Sequence, residues 1–174
     1  MKWLQPPPSL HERLYAFYFM RSGWRQDKVI LEGDDLLAVR GQSQLVGYQS
    51  EVNAILKRDA RSLLHPLKCN EDGMFMDGNS RLITSDMNSV RLALGRFTAY
   101  WRAKCTIGPK KCNVRFSTCS SKCADKAIFF CDVQWTIYDY YDFNWWEPYG
   151  WTGRPFHIFG YWTTATGGTV RRCK

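Results

Sequence analysis

Clustered cysteines limit the possible folds of this 174-residue chain more than any other feature of its sequence. Five of its seven cysteines form the pattern C-x6-C-x6-C-x3-C-x7-C, made of Cys105, Cys112, Cys119, Cys123 and Cys131. The stretch has no C-x2-C pair and no histidine, whereas zinc modules use closely paired ligands. The spacing favours disulfide bonds formed in an oxidising compartment, with free buried thiols as the alternative. Because seven is odd, at least one thiol is unpaired or bonds to another chain.

The pattern of apolar residues predicts an α+β fold. Hydrophobic residues make up 45% of the chain, which is enough to build a core. Apolar residues at helical spacing predict a helix over residues 50–64, capped by Ser50 and ended by Pro66. From about residue 90 onward, segments rich in β-branched and aromatic residues predict strands. We therefore predict a helical N-terminal half followed by a twisted antiparallel β-sheet, with the C-terminal half stapled by disulfides.

The predicted organisation is a single compact domain with three parts. Residues 1–10 form a proline-rich arm, residues 11–89 a mainly helical subregion, and residues 90–174 the β-subregion that carries the candidate site. Within the helical subregion, residues 21–48 are interpreted as loops with one or two short elements. Residues 69–80 are interpreted as turns, because Asn, Asp and Gly recur there.

We expect neither a membrane-spanning helix nor a Sec-type signal peptide in this sequence. No apolar run approaches the roughly 20 residues that a membrane-spanning helix needs. Residues 1–8 lack the apolar core and the small-residue cleavage site of a Sec-type signal peptide. Together with the predicted disulfides, these features indicate a protein that is secreted or delivered to a target cell envelope, such as the periplasm, by another route.

Positive charge is concentrated in one part of the chain. The net charge is +8, and residues 96–126 alone contain eight basic residues and one acidic residue, a net charge of +7. This stretch predicts a surface for an anionic ligand, either phosphate-bearing or a membrane, with a solubilising surface as the alternative. Nucleic acid is disfavoured as a partner, because the aromatic residues occupy a different segment and stapled regions are unusual in intracellular nucleic-acid binders.

Candidate catalytic residues are grouped in and after the segment 139–147, which reads D-Y-Y-D-F-N-W-W-E. Asp139 and Asp142 follow a predicted strand, so both carboxylates are expected to face one cleft, where they would hold Mg²⁺ or act as general acid or base. Tyr141 would donate a hydrogen bond to a phosphate oxygen, Arg154 would hold phosphate, and His157 would transfer a proton. The alternative is that the aspartates cap turns.

The segment D-x-Y-D-F-N at residues 139–144 resembles the signature of the colicin M family of bacteriocins. Residues 92–98 (L-A-L-G-R-F-T) are similar to the glycine-bearing entry to the sheet in such domains and in related effector toxins. The family's His-Arg pair is not in place after the motif, where this chain has Glu147-Pro148-Tyr149.

The resemblance implies a Mg²⁺-dependent phosphodiesterase that cleaves lipid II, the undecaprenyl-linked peptidoglycan precursor, between lipid and pyrophosphate. Asp139, Tyr141 and Asp142 fall on its motif positions. A cognate immunity protein is an expected partner, since a producer of such a toxin needs protection.

Aromatic residues support either an enzyme or a binding module. Residues 135–162 hold 13 of the 27 Phe, Trp and Tyr residues, and most are expected in the core. Trp145, Trp146 and Trp151 lie among Pro and Gly in predicted loops, where exposed indole rings suit sugar stacking or a membrane interface. They are predicted to bind substrate in the enzyme. In the alternative function, they carry a non-enzymatic glycan- or membrane-binding, permeabilising toxin module.

Overall fold

The computed structural model describes residues 9, 10, 12–14, 28–86, 90, 94–112, 125–141 and 156–172. Within them, five strands form one sheet in the order β1-β5-β4-β3-β2. The strands are β1 (Lys28–Leu31), β2 (Gly73–Thr84), β3 (Arg96–Ile107), β4 (Asp125–Tyr141) and β5 (Phe156–Arg172). Two helices, α1 (Gly33–Arg40) and α2 (Ser43–Leu63), lie between β1 and β2 in the chain. The predicted mixed α+β class is confirmed.

The sheet is antiparallel where consecutive strands meet and parallel at one edge. Contacts between β4 and β5 run in opposite order along the two strands, since Trp135 stacks on Trp162 and Tyr141 stacks on Phe156. The edge strand β1 instead pairs in parallel with β5 over Lys28–Leu31. The prediction of a purely antiparallel sheet was therefore wrong at this edge, because a strand from residues interpreted as loops completes it.

The helical N-terminal half is confirmed only in part, since β1 and β2 lie within it. β2 occupies most of the stretch predicted as turns. Gly78 is one reason for this error, because a Cβ at Gly78 would lie 2.9 Å from the Trp101 carbonyl oxygen. Glycine there permits a close approach of two strands and does not mark a turn.

Helix α2 begins seven residues earlier than predicted, at Ser43. The carboxylate of Asp86 accepts hydrogen bonds from the Ser43 N–H at 2.8 Å and from its hydroxyl at 2.5 Å. Since this partner is 43 residues away in the chain, the local pattern that predicted Ser50 as the cap could not indicate it. None of the helices in the described residues is long and apolar enough to cross a membrane.

The contacts of the chain divide it into two compact units. Unit 1 comprises the described residues of 1–46, 80–100 and 136–161, and unit 2 those of 47–79, 101–135 and 162–174. In unit 1, Gly160 lets β5 pack closely, because a Cβ there would lie 2.8 Å from side-chain carbons of Ile137 and Leu36. In unit 2, the buried Trp135 stacks on Trp162 at 5.8 Å and meets the edge of Tyr48 at 5.9 Å.

Two disulfides staple unit 2: one lies within the cysteine cluster of the predicted C-terminal half, and the other joins this cluster to Cys69 in the N-terminal half. Cys69 pairs with Cys112 at a Cα–Cα distance of 5.5 Å, and Cys105 on β3 pairs with Cys131 on β4. Cys119, Cys123 and Cys173 lie outside the described residues. The described residues contain no group of three or more Cys, His, Asp or Glu side chains that would suit a metal ion.

Candidate functional site

Three of the eight predicted site residues lie in the described part of the chain: Asp139, Tyr141 and His157. The other five lie outside it, namely Asp142, Arg154, Trp145, Trp146 and Trp151. All three described residues belong to unit 1, where β4 ends at Tyr141 and β5 begins at Phe156. The candidate site is therefore built at this end of the two strands.

Asp139 is a half-buried carboxyl group near the end of β4. Side chains alternate along this strand, with Trp135 and Ile137 buried, so Asp139 follows them on the inner face of the sheet. Burial raises the pKa of Asp139 to about 6, and the hydrogen bond that the Tyr140 N–H donates to its Oδ1 at 2.9 Å partly opposes this rise. No cation pairs with Asp139 among the described residues. With its pKa raised to about 6, the group therefore changes between acid and carboxylate about two pH units above an ordinary aspartate.

Tyr141 lies on the same face as Asp139, two residues further along β4. Its ring stacks on Phe156 of β5 with centroids 5.0 Å apart and an interplanar angle of 22°. This contact holds the Tyr141 ring against the first residue of β5. The strand alternation thus brings one titrating carboxyl and one phenol to a single face. The predicted cleft shared by Asp139 and Asp142 stays a prediction, because Asp142 lies outside the described residues.

His157 lies on the opposite, outer face of the sheet. Its Nδ1 is 3.0 Å from the hydroxyl oxygen of Tyr138, and its ring is 5.1 Å from the ring of Tyr140. Tyr138 and Tyr140 flank Asp139 in sequence and therefore point away from it. The structure thus does not bring His157 together with Asp139, and the proton-transfer role predicted for His157 has no geometric support at that carboxyl.

Sequence reasoning missed a row of rings on this outer face of unit 1. Tyr138 contacts both His157 and Phe159, and Phe159 stacks on Tyr161 at 6.0 Å with nearly parallel planes. The signal that could have found this row is the alternation of aromatic residues along both strands. The sequence predicts most of these rings in the core, whereas Tyr140 and Tyr161 are exposed.

Asp139 fits the chemistry of one Mg²⁺ ligand. Magnesium in phosphate-processing sites is commonly held by one or two carboxylates together with water and substrate oxygens. Asp139 supplies one such carboxylate above the pH at which it titrates. The second predicted ligand, Asp142, lies outside the described residues.

Comparison of the chain with family models, with curated proteins and with solved structures finds no match. The resemblance to colicin M therefore rests on the residues quoted above. Asp139 lies in this motif and has a pKa raised by burial to about 6.

Replacing Asp139 with asparagine is expected to stabilise the protein by about 1–3 kcal/mol at about pH 7.5. The carboxyl has a higher pKa when folded, about 6, than the roughly 3.9 of an unfolded chain, so its charge opposes folding at neutral pH. As pH falls through 6 the folded state takes up the proton first, and the difference between wild type and variant should vanish by about pH 4.

Urea denaturation at several pH values measures this difference. Asp132→Asn is the matched control, because Asp132 is exposed on the same strand. If the difference in unfolding free energy between Asp139→Asn and the wild type is the same at neutral and acid pH, the burial of this carboxyl is contradicted.

Proposed function

We propose that this protein is an antibacterial, toxin-type hydrolase that cleaves lipid II between lipid and pyrophosphate in a cell envelope. The observation that carries the proposal is the half-buried carboxyl of Asp139, whose pKa is about 6, within a D-x-Y-D-F-N segment. Perturbed carboxyls of this kind are concentrated at catalytic sites, because burying a charge destabilises a fold. The two disulfides are compatible with action outside the cytoplasm.

The reaction needs a base and a means of holding phosphate. Above pH 6 the Asp139 carboxylate accepts a proton from water, whose oxygen bonds to phosphorus. The bond from phosphorus to the lipid oxygen breaks, and this oxygen takes the proton that Asp139 had accepted, so that the lipid alcohol leaves and the carboxylate is restored. Tyr141, on the same face, donates a hydrogen bond to a phosphate oxygen. In the alternative role of these carboxylates, Asp139 and Asp142 would hold Mg²⁺, which would neutralise phosphate charge.

Purified lipid II tests this proposal directly. We expect the wild-type protein to release the lipid alcohol, detected by thin-layer chromatography, in the presence of Mg²⁺ and not with a chelator. Asp139→Asn should lower the rate by at least about 100-fold, the lower end of what general acid–base catalysis contributes. The rate of the wild type should rise with pH through about 6, because the carboxylate is the active form.

The control for this experiment is Asp132→Asn, which should retain the wild-type rate because Asp132 is exposed elsewhere on β4. Since Asp139→Asn is expected to be at least as stable as the wild type, its loss of activity would not reflect unfolding. Intact lipid II after incubation with folded wild-type protein would overturn the proposed reaction. Equal rates for the wild type and Asp139→Asn would remove Asp139 from the mechanism.

A further inference from the structure

We propose that the outer face of the sheet in unit 2 docks onto an anionic lipid bilayer. This face, called the docking face below, is formed by alternate residues of β2, β3, β4 and β5 that lie in unit 2. The inference does not depend on the hydrolase proposal, because it uses different residues and predicts binding to vesicles that contain no lipid II.

Three observations place these residues on one face. The buried disulfide between Cys105 and Cys131 puts both cysteines on the inner face, so Lys104 and Phe130 lie on the other. A Cβ on Gly78 would lie 3.3 Å from the Arg102 side chain, which joins the even-numbered residues of β2 to this face. On β5, a Cβ on Gly167 would lie 3.5 Å from the Phe130 ring.

Large apolar side chains are exposed on the docking face. Met74 and Met76 on β2 and Ile128 and Phe130 on β4 each leave between 49% and 74% of their surface accessible. Exposed apolar residues that occur singly are ordinary, but four on one sheet face indicate an interaction surface. Methionine and isoleucine have flexible or compact aliphatic side chains that can enter the boundary between lipid headgroups and acyl chains.

Cations surround these apolar side chains. A groove of about 540 Å³ is lined by Pro109 and Ile128 and by the exposed cations Lys111, Lys126 and Arg171. Arg102 and Lys104 are also exposed on the face, and Asp132 is the acidic residue that lies among them. Within the described residues none of these five cations forms an ion pair. Their charge is therefore available to an external anion.

The combination favours a lipid surface over a nucleic acid. Single-stranded nucleic acids bind where several aromatic rings stack bases beside cations, and Phe130 is the aromatic ring of the docking face among the described residues. In an anionic bilayer, phosphate groups would meet the cations while the aliphatic side chains enter the interface. Helix α2 covers the inner face of this unit, where Tyr48 packs on Trp135 and accepts a hydrogen bond from Trp101 Nε1 at 3.0 Å.

Vesicle sedimentation with the full chain tests the charge requirement. We expect binding to vesicles of phosphatidylcholine with about one third phosphatidylglycerol, and little binding to phosphatidylcholine alone. Lys126→Gln combined with Arg171→Gln should weaken partitioning about 30-fold, since each cation near an anionic surface contributes about fivefold. Lys57→Gln with Arg61→Gln, exposed on α2, removes the same net charge and should leave binding within about twofold.

The apolar requirement has its own pair of variants. Ile128→Ser should weaken binding severalfold, whereas Leu37→Ser, an exposed leucine on α1, should not. The proposal is overturned if the protein does not bind vesicles or if it binds neutral and anionic vesicles equally well. It is also overturned if the control variants lose as much binding as the test variants. Binding of a single-stranded oligonucleotide that depends on Lys126 and Arg171, without vesicle binding, would assign the face to nucleic acid instead.

Discussion

Replacing Lys110 with methionine is expected to destabilise the protein by about 3–5 kcal/mol, the effect of leaving one member of a buried ion pair without its partner. The Lys110 Nζ lies 3.2 Å from Asp125 Oδ2, and both side chains are almost fully buried. It also donates to the carbonyl oxygens of Leu64 at 2.8 Å and Leu67 at 2.9 Å. One ammonium group therefore satisfies carbonyls just after helix α2 and a buried carboxylate at the start of β4.

Urea denaturation at neutral pH measures this effect, and the neighbouring residue provides the control. Lys111 is exposed, so Lys111→Met should change stability by no more than about 0.5 kcal/mol. Adding Asp125→Leu to Lys110→Met should recover much of the loss, because no buried charge then remains unpaired. If Lys110→Met were as stable as Lys111→Met, the ion pair would have no structural role.

The burial of Lys110 also corrects the prediction that the whole basic stretch 96–126 faces an anionic ligand. The sequence placed Lys110 and Asp125 in a basic stretch expected to meet an anionic ligand, but the two residues neutralise each other inside unit 2. Among the described residues of this stretch, cations on the outer face, such as Lys126 on β4, remain for an external partner. Lys110 is therefore not among the cations of this stretch that can meet an external anion.

Removing the disulfide between Cys69 and Cys112 by a double substitution to serine is expected to cost about 2–4 kcal/mol. The bond joins cysteines 43 residues apart, so without it the unfolded chain gains considerable freedom. It also fixes the chain after α2 to the chain after β3, where the Asn70 N–H donates to the Lys110 carbonyl at 2.8 Å. The loss is expected as a lower urea midpoint under oxidising conditions.

Intact mass after alkylation without reductant provides the independent check. The wild type should retain at least the two disulfides of unit 2, and the double variant one fewer. Reductant should lower the stability of the wild type more than that of the variant. The variant has already lost the Cys69–Cys112 bond and keeps only its remaining disulfides to be reduced. Seven alkylated thiols in the folded wild type would contradict both the bonds and an oxidising place of action.

Local patterns in the sequence determined several elements of this protein. Apolar residues at helical spacing, including Val52, Leu56 and Ala60, predicted most of α2, and these three are buried. Aromatic and β-branched runs predicted β3, β4 and β5, and the clustered cysteines predicted a stapled region. The sequence also singled out Asp139 and Tyr141 as candidate site residues. These features depend on neighbours within a few residues, which is the range over which propensity and periodicity act.

Tertiary structure alone decided which elements meet. Several contacts join residues far apart in the chain. They are the parallel pairing of β1 with β5, the hydrogen bond between Ser43 and Asp86, and the contacts of buried Lys110 with carbonyls after α2. His157 is placed away from Asp139 for a related reason, because a shift of one residue in strand register moves a side chain to the other face of a sheet. Register is set by long-range pairing and packing. The sequence by itself therefore determined the strands β3, β4 and β5, and only the folded chain added β1 and β2 and decided which side chains share a surface.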